Sequence, residues 1–263
     1  MQETIRLEHL SIGYEHGKAR RVVAPGLTAS IRCGQLTCLL GRNGVGKSTL
    51  LRTLAGFLPP LEGRILFQGQ PISSFSKSQF ARLVSVVLTG KPQVQNMRVD
   101  ELIALGRSPY TDFWGRLRAA DRQAVEEAMR LVGLEAFAHR MVSTLSDGER
   151  QKVMIAKALA QQTPIIILDE PTAFLDFPSK VETMQLLRRL ARETDKTIFL
   201  SSHDLELTMQ LADELWLMSD HQLVMGTPRQ LASDGTLAHY VARHDVRFNA
   251  EEMTLVIEEM QQR

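Results

Sequence analysis

Apolar positions along this chain change their period in a definite order. TIRLEHLSIGY (Thr4 to Tyr14) and LTASIRC (Leu27 to Cys33) alternate apolar with polar residues, the pattern of strands with one buried face. QLTCLL then runs almost wholly apolar to Gly41, as a strand covered on both faces does. A helix is predicted from about Lys47 to Ala55, stopped by Gly56 with Pro59-Pro60 beyond it. From Thr89 to Gln162 the period is mostly helical, clearest in RVDELIALG and AADRQAVEEAMRLVG. Buried strands return at PIIILDE, KTIFLSS and ELWLMSD, with the helix KVETMQLLRRLAR between the first two. Strand, loop, helix, a helical insertion and then β-α-β predict an α/β fold: a parallel-sheet core carrying an all-α subdomain. The expected division of a single 1–263 domain is a core from 1–88 and 163–226, a helical subdomain from 89–162 and a tail from 227–263.

Composition changes this picture little. At 263 residues the chain suits one large α/β domain, and 31 basic against 30 acidic residues give no general pull toward nucleic acid. Cys33 and Cys38 lack metal-ligand spacing and read as reduced, part-buried thiols of a cytosolic protein. MQETIRLEHL has no signal-peptide core, and no run of about eighteen apolar residues occurs. The chain is therefore expected not to span a membrane by itself.

The first chemical motif is GRNGVGKS, which fits G-x-x-x-x-G-K-[ST] between a buried strand and a helix. The candidate nucleotide-binding residues are Gly41, Arg42, Asn43, Gly44, Val45, Gly46, Lys47, Ser48 and the adjoining Thr49. The glycines let backbone N–H groups turn inward around phosphate oxygens. Lys47 is placed to reach the outer phosphates and the Ser48 hydroxyl to join Mg²⁺. A glycine-rich helix cap is the bland alternative, and the strand and helix on either side disfavour it.

IIILDEP delivers Asp169 and Glu170 from the end of a buried strand. Asp169 suits the Mg²⁺ shell, and Glu170 suits orientation or deprotonation of the attacking water. His203 follows a second buried strand and is a candidate for contact with the transferred phosphate, although Ser201, Ser202 and Asp204 also suggest an ordinary helix start.

A second small-residue turn, LSDGE at Leu145 to Glu149, fits the capping box S-x-x-E, which by itself accounts for Ser146 and Glu149. Taken with GRNGVGKS, IIILDE, the loop AFLD (Ala173 to Asp176) and His203, it resembles the LSGGQ-type element of the nucleotide-binding subunits of ABC transporters. The resemblance covers nearly all of the chain before the tail. It implies the ABC ATPase fold: a P-loop parallel-sheet core with an N-terminal antiparallel β subdomain and an inserted all-α subdomain. It implies ATP and Mg²⁺, and two subunits packed head to tail so that Ser146 and Gly148 cover the γ-phosphate bound by the partner. By the same resemblance Tyr14 stacks on adenine, Asp176 couples the two sites, Glu170 is the catalytic base and His203 senses the γ-phosphate. The partners implied are a second ATPase subunit, with a homodimer permitted, and a polytopic membrane permease. A substrate-binding protein is implied indirectly and nucleic acid is not. The implied location is peripheral, at the cytoplasmic face of the inner membrane.

Two positions depart from that family. Asp147 stands where LSGGQ has its first glycine, and its side chain is expected to turn back to the helix amides. Thr89 occupies the Q-loop position, where a glutamine contacts Mg²⁺ and the membrane subunit; Thr89 is thus a candidate metal contact, with Gln93 and Gln95 close enough to compensate.

In DELIALGRSPYTDFWGRL, Gly106 and Pro109 read as an ordinary helix stop, whereas Phe113-Trp114 in a polar loop suggest a contact surface. GRSPY resembles ATPases powering import of iron–siderophore complexes, haem or cobalamin, with iron chelates favoured. A soluble ABC-type ATPase of DNA repair or translation is disfavoured by the single cassette and balanced charge. A small-molecule kinase has no use for LSDGE or AFLD, and a regulatory ABC ATPase is raised only by Thr89. In the tail, LASDGTLAHYV resembles the family's closing helix, and His221, His239 and His244 look too scattered for a metal site.

Overall fold

The computed structural model describes residues 2–17, 19–90, 96–219, 222–242 and 246–257. Strands β1 (Glu3–His16) and β2 (Ala19–Arg32) form an antiparallel pair, with Ile5 opposite Ile31 and Leu7 opposite Ala29. After β3 (Leu36–Gly41) and helix α1 (Lys47–Leu54), strands β4 (Glu62–Phe67) and β5 (Gln70–Pro71) complete a sheet ordered β2-β1-β4-β5. The short helix α2 (Lys77–Phe80) leads into β6 (Val84–Val87). Among the described residues three α-helices follow: α3 (Val99–Ala104), α4 (Ala119–Val132) and α5 (Asp147–Ala160). The chain then returns through β7 (Ile165–Leu168), α6 (Phe177–Glu193), β8 (Thr197–Ser202), α7 (Leu205–Leu211), β9 (Glu214–Ser219) and β10 (Gln222–Gly226). The second sheet is ordered β10-β9-β3-β8-β7-β6; β10 is antiparallel and its other pairings are parallel.

Every residue of β3, β7 and β8 is buried, because this sheet is covered on both faces. The pleat sends alternate side chains into two cores. Cys38, Leu40, Ile166, Leu168, Ile198, Leu200 and Leu215 meet the helices on one side. Leu39, Ile165, Ile167, Phe199 and Trp216 meet α1 and the antiparallel sheet on the other, with the Phe199 and Trp216 rings 5.0 Å apart. The carboxyl ends of β3, β8 and β7 consequently lie side by side, which is where ligands bind in such sheets.

GRSPY has more to do than stop a helix. A Cβ on Gly106 would sit 2.2 Å from the Lys157 carbonyl oxygen, so glycine is required for the chain to cross α5 this closely. Arg107 is buried beside it. Its Nε donates to Asp121 Oδ1 at 2.9 Å, and Nη1 donates to the Ala160 carbonyl and to Gln162 Oε1 at 2.8 Å each. The Tyr110 ring covers the guanidinium at 4.0 Å. Gln161 Nε2 donates to the carbonyls of Ala81 and Val84, tying the end of α5 to the strand core.

The tail departs from the single closing helix expected of it. Gly235, at φ 79°, separates α8 (Pro228–Ser233) from α9 (Thr236–Val241), and a hairpin of β11 (Val246–Asn249) and β12 (Thr254–Ile257) follows. His239 lies on α9, while His221 and His244 fall outside the described residues. Among the described residues no group of His, Cys, Asp and Glu is arranged to hold a metal ion. Both cysteines are free thiols; Cys38 is fully enclosed, and burial pushes its pKa well above the ordinary thiol value.

Candidate active site

The loop after β3 takes its shape from two constraints on glycine. Gly44 and Gly46 adopt φ values of 84° and 116°, a region L side chains rarely enter. A Cβ on Gly46 would also meet Val23 Cγ1 at 2.6 Å, and one on Gly41 would meet Met218 O at 2.9 Å. Lys47 is buried at the start of α1, and its Nζ donates to the Gly41 carbonyl at 2.8 Å. Burial lowers its pKa, while Glu170 and Asp169 oppose that shift. An ammonium held on its own loop by backbone carbonyls is poised for an anion that fits there better.

Across from it, β7 ends in Asp169 and Glu170. Ser48 Oγ lies 3.4 Å from Asp169 Oδ1. Ser201, buried at the end of β8, donates from Oγ to the same Oδ1 at 2.8 Å and accepts the Glu170 N–H at 2.9 Å. Glu170 has φ 48°, a strained value for a non-glycine residue and one that its Ser201 bond helps to hold. The Glu170 carboxylate Oε1 is hydrogen-bonded to His203 Nε2. Three strands and one loop thus bring Lys47, Ser48, Asp169, Glu170 and His203 into one cluster.

Thr89 joins the cluster through its hydroxyl, which donates to the Asp169 backbone carbonyl at 2.7 Å and so braces the end of β7. Gln93 and Gln95 lie outside the described residues. Tyr14 is half-exposed, and its hydroxyl is 3.0 Å from Thr49 Oγ1, which fixes the ring at the edge of α1.

LSDGE forms the expected capping box. Glu149 N donates to Ser146 Oγ at 3.2 Å and Ser146 N to Glu149 Oε2 at 2.8 Å; the bond from Ser146 holds the Glu149 pKa below the usual value. Asp147 pairs with Arg150 at 3.3 Å within the first turn, an ionic partner that the sequence reading did not anticipate. Gly148 packs on Ser179, to which a Cβ would approach within 3.1 Å. Asp176 caps α6 by accepting the Ser179 N–H at 3.2 Å. Ser146, Gly148 and Asp176 therefore make their contacts around the starts of α5 and α6, apart from the cluster on β3, β7 and β8.

Two contributors were missed from sequence. Ser201 was read only as part of a helix start, although a hydroxyl at the end of a buried strand beside IIILDE was a usable signal. Tyr240, Val246 and Leu255 of the tail line a cleft of about 630 Å³ together with Arg42, Asn43 and His203. The alternation in VRFN and the β-branched residues of TLVI were the signals for that hairpin. In the loop after Gly106, Phe113 and Trp114 are 95% and 76% exposed, too open for a packing role.

The ABC transporter family model matches residues 25–173, more than half the chain. The ferric enterobactin transport ATP-binding protein FepC of Escherichia coli is 35% identical over 230 residues, covering 87% of this chain and 83% of that protein. A cobalamin import ATP-binding protein of Halobacterium salinarum is 37% identical over 210 residues, 80% of this chain and 52% of that protein. Among solved structures, cbiO1 of Clostridium perfringens, part of the ABC transporter complex cbiONQ, superposes with a TM-score of 0.79 at 28% identity, covering 92% of this chain and 95% of that one. A dimeric bacterial ABC transporter cassette shares the fold, with a TM-score of 0.72 at 24% identity over 85% of this chain and 98% of that one. With its phosphate loop, its Asp169–Ser201–Glu170 bridge and this family match in place, the chain belongs to the ABC transporter family as an ATP-binding subunit and is an ATPase.

Proposed function

We propose that this chain powers import of a metal chelate, an iron–siderophore complex before haem or cobalamin, by hydrolysing ATP beneath a membrane permease. The observation that carries the catalytic part is the hydrogen-bond chain from Ser48 through Asp169 and Ser201 to Glu170 and His203. It holds one carboxylate against the phosphate loop and leaves a second at its edge. Ser48 Oγ and Asp169 Oδ1 are hard oxygen donors in few-ligand supply, as Mg²⁺ takes beside phosphates, so this pair fits that ion. Bound there, Mg²⁺ supplies charge neutralisation at the outer phosphates. Lys47 binds those phosphates, Glu170 accepts the proton of the attacking water, and His203 fixes Glu170 and reaches toward the γ-phosphate. Thr89 serves the metal through Asp169, whose carbonyl it holds. Tyr14 offers an anchored ring to adenine.

A second copy of the chain completes each site, its Ser146 and Gly148 covering the phosphate and its Asp176 linking the two centres. The helical region 89–162 is the unit that moves on closure. Among the described residues no helix is long and apolar enough to cross a membrane, which supports peripheral attachment to a permease at the cytoplasmic face. Phe113 and Trp114 offer the exposed apolar surface for that contact. The cargo class is supported by GRSPY and by relatives named for ferric enterobactin and cobalamin transport.

Affinity recovery of this chain from gently solubilised native membranes with ATP tests the reading. A co-purifying polytopic permease, with ATP turnover stimulated by a ferric siderophore presented with its binding protein, is the expected result. Recovery from the soluble fraction alone, or with nucleic-acid proteins, overturns it.

A further inference from the structure

One polar group beside the catalytic cluster has no role in the reading above. Gln151 lies on α5, five residues beyond the capping Ser146, and its Nε2 is buried with no hydrogen-bond partner among the described residues. A buried donor left in that state destabilises the fold unless something accepts from it. Gln151 lines a small cavity of about 30 Å³ together with Thr89, Asp169 and Glu170. That volume is room for about one or two waters, and the polar lining gives a water the partners it needs. The neighbours are already committed. Thr89 donates to the Asp169 carbonyl, and Arg150 donates to Asp147 and to the Leu145 carbonyl. The Gln151 amide is a side-chain donor without a partner among the described residues, on a cavity that the end of the Glu170 strand also lines.

We infer that Gln151 is a positioning residue for hydrolysis: its amide donates to a water in this cavity, and that water donates to the Glu170 carboxylate. The helix that begins at LSDGE is thereby connected to the group that handles the attacking water. A shift of α5 alters the aim of Glu170 without changing any residue that touches nucleotide. The inference rests on the reading of Glu170 as the base.

The test is Gln151→Met, which keeps the side-chain length and removes the donor. kcat is expected to fall about tenfold, equivalent to about 1.4 kcal/mol in the barrier, with KM for ATP unchanged. The thermal midpoint is expected to hold or rise, because an unpartnered buried donor has been removed. Gln151→Asn, which keeps an amide facing the same cavity, should recover part of the lost turnover. Gln151→Glu keeps size and polarity without the donor and should be at least as slow as the Met variant, giving a second reading should Met not fold. Wild-type kcat in either donorless variant, or a kcat loss that tracks a lower midpoint, overturns the inference. In a Glu170→Gln background, Gln151→Met should cost nothing further; an additional tenfold loss there also overturns it. Glu170→Gln alone retaining wild-type turnover refutes the assignment of the base instead, so the two failures are distinguishable.

Discussion

Replacing Arg107 with Met should destabilise the chain strongly, by an amount that follows from its burial and its partners. The Arg107 and Asp121 side chains are each only 5% exposed, so little solvent screens the pair. Asp121 Oδ1 accepts from Arg107, and Oδ2 accepts the Arg118 N–H at 2.9 Å. Methionine fills most of the volume but strands the carboxylate and frees the Ala160 carbonyl and Gln162. Removing one partner of a buried pair costs about 3–5 kcal/mol. For a chain of this size that is a fall in thermal midpoint of roughly 6–20 °C, readable by calorimetry or circular dichroism. The amide of Arg118 and then the Arg107 guanidinium hold the Asp121 pKa below the usual carboxylate range. The sign of the pH effect follows: ionised Asp121 contributes its full stability above the unfolded value of about 4, and loses it as pH falls toward the depressed folded value. The gap in midpoint between wild type and Asp121→Asn should therefore be widest near neutrality and close under acid. A fall of less than about 2 °C for Arg107→Met at neutral pH would refute the claim that this pair is buried and carries the GRSPY turn.

Other changes probe the site itself. Ser201→Ala removes the hydroxyl between Asp169 and Glu170 and should lower kcat about tenfold, the cost of leaving buried groups unpaired; steady-state ATPase assays check it. Gly46→Ala puts a Cβ against Val23 at a φ of 116° and should abolish nucleotide binding, measured by calorimetric titration with ATP. The double change Phe113→Ser with Trp114→Ser should reduce recovery of the chain with membranes while its thermal midpoint stays put, since both rings are exposed.

Much of this architecture was legible because it rests on local rules. A strand that is apolar throughout, such as IIIL, reads as buried on both faces, and glycine spacing in GRNGVGKS has few uses besides an anion cradle. The capping box at Ser146 and Glu149 was equally local, and the structure reproduces it. What could not be read depends on contacts distant in sequence. Thr89 gives no sign of pairing with a carbonyl 80 residues away, nor Gly106 of lying against the Lys157 carbonyl. Asp147 is a local exception: its pair with Arg150 lies one turn along the same helix, at a spacing the sequence does show. The tail misled because LASDGTLAHYV has helical period on both sides of Gly235, and only the left-handed turn there divides it.

The central claim is that Glu170, held by Ser201 and His203 at the end of β7, performs hydrolysis at the phosphate loop. It is tested most directly by the ATPase rate of Glu170→Gln, with ATP affinity measured in parallel. The account predicts turnover lower by about two to four orders of magnitude, the usual contribution of a positioned base, with ATP still bound. Turnover within a few-fold of wild type would contradict it.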